Sequence, residues 1–68
     1  MNFYTIQIAK SIEPRWEEWF EGLSITNLEN GTCLIMGCLP DQAALFSTLN
    51  KIYSLGLPLL SVETQSVS

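Results

Sequence analysis

Hydrophobic and polar positions alternate from Phe3 to Ile8: Tyr4, Ile6 and Ile8 fall on one side, Phe3, Thr5 and Gln7 on the other. A period of two predicts a strand with one core face. After a connector, Pro14 suits a first helical position, and Trp16, Trp19 and Phe20 follow at i, i+3 and i+4. The spacing predicts a short helix to Glu21, stopped by Gly22. Its glutamates at 17, 18 and 21 oppose the helix dipole, so it must depend on packing its aromatic side. Leu23–Leu28 and Thr32–Leu39 read as a hairpin around Asn30-Gly31, a pair suited to a two-residue type I′ turn. That turn sets Asn27 opposite Leu34, Ile25 opposite Met36 and Leu23 opposite Cys38. It places Leu34, Met36 and Cys38 inward, and Cys33, Ile35 and Gly37 outward.

Asp41 is a good N-cap for a second helix running to about Leu55. Ala44, Leu45, Leu49, Ile52 and Leu55 form its apolar stripe, Gly56 closes it and Pro58 prevents continuation. Leu59–Thr64 is the last strand, and residues 65–68 are a polar tail. The order β-α-β-β-α-β predicts an α+β, ferredoxin-like single domain over residues 1–64. Its four-stranded antiparallel sheet carries both helices on one face, with the last strand beside the first.

The other sheet face then has no cover from this chain. By alternation it holds Phe3, Thr5, Gln7, Ser24, Thr26, Leu28, Cys33, Ile35, Leu59, Ser61 and Glu63, with Glu63 its only charge. Antiparallel sheets usually turn a polar face to water. A face this apolar is expected to be an interface, centred on Phe3, Thr5, Leu28, Cys33, Ile35, Leu59 and Ser61. A C2 homodimer is the default occupant, with an unidentified protein partner the alternative. The bland account is a monomer with a mildly apolar, hydroxyl-rich face. On this reading Ile35→Lys dissociates the oligomer.

Size sharpens the case for a partner. A chain of 68 residues buries only about 60% of its unfolded surface, and such domains usually need a disulfide, a metal or another subunit. Cys33 and Cys38 on one strand stand roughly 16 Å apart, too far for a bridge. Unbridged thiols, with no secretory signal or membrane span visible, point to the cytoplasm. Histidine is absent and neither cysteine has zinc-ligand spacing, so no metal or other cofactor is expected. The glutamates at 13, 17, 18 and 21 read as a solvated face. Net charge is −4, with Lys10, Arg15 and Lys51 the only basic residues. That disfavours nucleic acid and anionic membranes.

No nucleophile–base set assembles and no phosphate-binding glycine loop is present, so catalysis is not expected. The densest candidate is Arg15, Trp16, Trp19 and Phe20, an aromatic anchor with an arginine, as binding hot spots have. The structural account is that a short helix needs large side chains to stay docked. Arg15 and Glu18 read as a solvated i, i+3 pair. Cys33 and Cys38 lack a neighbouring cation and read as small apolar residues.

Pro14-Arg15-Trp16, Trp19-Phe20, Gly22-Leu23, Leu39-Pro40-Asp41-Gln42-Ala43-Ala44-Leu45, Leu49-Asn50-Lys51-Ile52 and Leu55 to Val62 together resemble a group of small stand-alone bacterial proteins, found in cyanobacteria and Chloroflexi. The resemblance covers roughly residues 4–63. It implies a self-contained domain and brings no activity with it. This chain carries Tyr53-Ser54 where a basic-acidic pair is frequent in the group, and cysteines around Gly37, so a site using that pair is not carried over. The expectation is a non-catalytic interaction or regulatory module. The alternatives are a small-ligand sensor with a pocket near the first helix, and a cofactor-free enzyme of the dimeric α+β barrel kind.

Overall fold

The computed structural model describes residues 2–20 and 23–66. Four antiparallel strands, β1 (Asn2–Ile8), β2 (Ser24–Asn27), β3 (Cys33–Leu39) and β4 (Leu59–Ser66), form one sheet in the order β2-β3-β1-β4. One α-helix, α1 (Gln42–Ser54), links β3 to β4. Between β1 and β2 lies a 3-10 turn, Pro14–Glu18. The two-helix ferredoxin-like fold is therefore corrected to β-β-β-α-β, with one helix.

The first helix fails for local reasons. Its bonds close mainly at three residues: the Trp16 N–H donates to the Glu13 carbonyl (3.0 Å) and the Trp19 N–H to the Trp16 carbonyl (3.0 Å), while the Phe20 N–H is shared between the Glu17 (3.2 Å) and Trp16 (3.3 Å) carbonyls. Glu13 stands at the N-cap without capping, because its carboxylate pairs with Arg15 at 2.7 Å. The Glu17 side chain reaches out of the turn, its Oε1 accepting from the Ile25 N–H at 3.1 Å. A single turn meets most of the nucleation cost of a helix and gains little from propagation. Glu21 and Gly22, where the stop was expected, lie outside the described residues.

α1 has sound ends. Asp41 Oδ1 accepts from the Ala44 N–H at 2.9 Å. At the other end Gly56 takes φ +70°, the Leu57 N–H reaches the Ile52 carbonyl and the Gly56 N–H the Tyr53 carbonyl. That is a Schellman stop, in which glycine accepts the left-handed backbone without a Cβ penalty.

The hairpin overturns the expected faces. Gly31 has φ +82°, whereas Asn30 does not enter the left-handed region, so the turn is not type I′. The Gly31 N–H donates to the Leu28 carbonyl (3.3 Å) and the Leu28 N–H to the Thr32 carbonyl (2.8 Å), enclosing a three-residue loop, Glu29-Asn30-Gly31. Asn30 Oδ1 accepts from the Thr32 N–H (3.2 Å) and hydroxyl (2.6 Å), which holds Asn30 in its turn. The added loop residue moves β3 by one place: Ile25 pairs with Ile35 and Asn27 with Cys33. Every β3 side chain changes face.

Cys33, Ile35 and Leu39 thus join Tyr4, Ile6, Ile8 and Ile25 on the inner face. Ile35 meets Ile6 on one side and Ile25 on the other, both β-branched partners. Phe20, Ile12, Leu23 and Ile52 complete the core, with Trp16, Ala44, Leu45 and Leu49 packed at its margin. α1 packs on β3 and the 3-10 turn on β2, so both cover the same face. β4 continues past Thr64, with Gln65 and Ser66 paired to Phe3 and Asn2. Of the expected polar tail, only residues 67–68 lie outside the described range.

Candidate functional site

The sites that bear on function are two surfaces and one cleft. On the outer sheet face, the alternation of β1 sends Phe3, Thr5 and Gln7 outward. Their β3 partners are Cys38, Met36 and Leu34. Thr26 faces Leu34 and Ser24 faces Met36 on β2, while Gln65, Glu63 and Ser61 face Phe3, Thr5 and Gln7 on β4. Leu28 lies opposite Thr32 beyond the end of β2. Phe3, Leu28, Leu34 and Met36 are half-buried and Cys38 is exposed.

Of the residues expected on this face, Phe3, Thr5, Leu28 and Ser61 are there. Cys33 and Ile35 are not: both are 0% exposed, in the core. Ile35→Lys would place a charge in the core and unfold the domain rather than dissociate an oligomer. Leu59 pairs with Ile8 at a bulge in β4, so it belongs to the inner side. Leu34, Met36 and Cys38 take the places of the lost pair. The signal for them was the single left-handed glycine of a three-residue loop, which Asn30-Gly31 also permits. Glu63 remains the only charge among the outward residues of the described strands.

The aromatic segment separates into three roles. Phe20 is 1% exposed, Trp16 is half-buried against the core, and Trp19 is 46% exposed. The Trp16 and Trp19 rings meet edge to face at 6.3 Å. Lys51, from α1, donates to the Trp19 carbonyl at 2.9 Å and its Nζ stands 5.7 Å from the Trp19 ring centre. This cation–π contact ties α1 to the turn. Arg15 is exposed and pairs with Glu13, in place of the expected Glu18. The four candidates therefore do not converge on a common point: Phe20 and Trp16 anchor, Trp19 is pinned by Lys51, and Arg15 stands in solvent.

A cleft of about 270 Å3 opens beside Trp16, lined by Lys10, Ser11, Ile12, Glu13, Leu55 and Leu57. Its Ile12 wall is held by Asn27, whose Oδ1 accepts from the Ile12 N–H (2.9 Å) and whose Nδ2 donates to the Ile12 carbonyl (2.7 Å). Elsewhere the space between sheet and helix is filled by Ile6, Ile8, Ile35 and Ile52, all fully buried.

The family model described as Domain of unknown function (DUF8691) matches residues 3–63. This chain belongs to the DUF8691 family. No curated protein and no solved structure matches it. The DUF8691 match takes in β2, β3, the 3-10 turn and α1 whole, β1 from Phe3 and β4 as far as Glu63, so most of the sheet face and the cleft fall within it.

Both cysteines of this DUF8691 domain are free thiols. Burial alone pushes the Cys33 thiol above its ordinary pKa, which keeps it protonated and unreactive. Among the described residues no three carboxylate or thiol side chains gather as a metal site, and no helix is long and apolar enough to cross a membrane.

Proposed function

We propose that this DUF8691 domain is a non-catalytic protein-interaction or regulatory module that self-associates by burying the outer face of its sheet. One observation carries the reading: Phe3, Leu28, Leu34, Met36 and Cys38 lie on a sheet face where Glu63 is the only charge among the described residues, and the helix and turn pack on the opposite side. Face-to-face packing of two such sheets would finish a core too small to be comfortable alone. A second copy is the default occupant, since a closed C2 pair needs no further component. Two free thiols suit a reducing compartment, and we place the protein in the cytoplasm of a bacterium on that ground and on its Pro14-x-Trp16-x-x-Trp19-Phe20 and Asp41-to-Leu45 segments.

The test is sedimentation equilibrium of Met36→Lys beside the parent chain. Met36 is half-buried on the outer face, so the lysine can reach water in the free domain. The expected result is a folded variant of lower mass. An unchanged mass would remove the sheet face as an interface.

The cleft beside Trp16 favours a second reading, a small-ligand sensor. A 270 Å3 space lined by Lys10 and Glu13 beside apolar Ile12, Trp16, Leu55 and Leu57 suits a small, partly apolar ligand with a polar end. A metabolite that raises the melting temperature of the parent chain, but not of Trp16→Ala, would support it.

A further inference from the structure

The two edges of the sheet differ. At the β2 edge the chain blunts its own strand. Glu17 takes the Ile25 N–H and the Asn27 side chain is spent on both backbone groups of Ile12. β2 is also only four residues long. β4, at the other edge, is eight residues long and carries no lysine or proline. Among the described residues no side chain hydrogen-bonds to it. Its bulge disturbs only the first residues, leaving a regular ladder from Ser61 onward. An open edge of this length is a template for strand pairing unless something covers it.

The flank of α1 beside that edge is apolar. Phe46, Asn50 and Tyr53 recur at four and three residues, outside the stripe that packs on the sheet. Phe46 is 58% and Tyr53 is 85% exposed. A groove of about 290 Å3 runs between this flank and the start of β4, lined by Leu49, Asn50, Tyr53, Leu57 and Leu59. Val62, which pairs with Ile6 on the inner face, is 37% exposed because the flank stops short of covering it.

We infer that the β4 edge joins two copies of this chain into one continuous eight-stranded sheet, each α1 flank packing over the junction. Charge excludes one register, and the apolar flanks favour another. Only same-face residues can oppose across such a junction, so the two-fold axis passes beside an inner or an outer residue of β4. Centred on Glu63, it would set two like charges directly opposite. Centred on Val62, it pairs Val62 with its own copy and Ser61 with Glu63, and brings the two apolar flanks together. Area agrees. Phe46, Tyr53, Leu59 and Val62 expose roughly 450 Å2 per chain, taking about 150–250 Å2 for a whole aromatic. Doubled, and joined by the strand backbone, this reaches the ~1,000 Å2 that a specific interface needs. The blocked β2 edge keeps strand-edge pairing from propagating beyond two copies into a filament.

This junction is separate from the outer face, and the variants separate the two. Tyr53→Lys with Phe46→Lys alters exposed residues only, so the monomer fold is kept, as circular dichroism will show. At tens of micromolar the parent chain is expected to be at least dimeric, and this double variant to have half its mass. Within Ser61–Gln65, the alternate amides that are not bonded to β1 are expected to exchange slowly in the parent and fast in the double variant. Met36→Lys leaves that protection in place, whatever it does to the outer face. A monomeric parent chain, or a double variant with the parent's mass and protection, overturns the junction.

Discussion

Truncating Ile35 and its neighbour Leu34 tests the register on which both surfaces depend. Ile35 is 0% exposed between Ile6 and Ile25, whereas Leu34 is half-buried on the outer face between Gln7 and Thr26. Ile35→Ala removes buried carbon and leaves a cavity, a loss of about 2–5 kcal/mol. A core of this size supplies only about 3–5 kcal/mol in all, so that variant will be near its unfolding midpoint in water. Ile35→Val, at about 0.5–1.5 kcal/mol, is the folded companion. Leu34→Ala removes as much carbon as Ile35→Ala from a position that water already reaches, and should cost under about 1 kcal/mol. Urea unfolding followed by circular dichroism, at low protein concentration, reads all three. The reasoning is refuted if Leu34→Ala is the more damaging alanine substitution. That outcome would mean the two-residue turn forms and β3 presents its other face. At high concentration the Leu34 variant should lose further stability, because the proposed outer-face contact then forms in the parent alone.

Asn27→Ala should cost about 1–3 kcal/mol, since it leaves the N–H and carbonyl of Ile12 without partners while Ile12 stays 6% exposed. Asn27→Asp keeps the acceptor only and should fall between the two, measured by the same unfolding curves. Stability should also fall in alkali through Cys33. Its thiol is raised by burial, so the unfolded chain ionises first, near the ordinary thiol value of about 8.5. The contribution is complete below that pH and declines above it, by at most about 1.4 kcal/mol per pH unit, until the native thiol titrates. Cys33→Ala should flatten that alkaline slope; an unchanged slope would assign it to another group.

Local pattern carried much of this protein. Alternation in Phe3–Ile8 named the inner residues of β1, because a two-residue period leaves no second solution once one side is apolar. Asp41 and Gly56 marked the ends of α1, because capping is chemistry between near neighbours. That the outer face of the described strands carries no charge besides Glu63 was also legible, since neither register brings a new charge onto it.

Tertiary structure decided what near neighbours could not. Asn30-Gly31 is compatible with a two-residue or a three-residue loop. Packing Ile35 between Ile6 and Ile25 favours the second, and one added residue exchanged Cys33 and Ile35 for Leu34, Met36 and Cys38. Trp16, Trp19 and Phe20 have helical spacing, yet a single turn cannot outweigh the pull of Glu17 toward the Ile25 N–H and of Glu13 toward Arg15. The exposed flank of Phe46 and Tyr53 became visible only once α1 was laid on the sheet. A helix has one apolar stripe by sequence, but its breadth counts as surplus only against the width of the surface it covers.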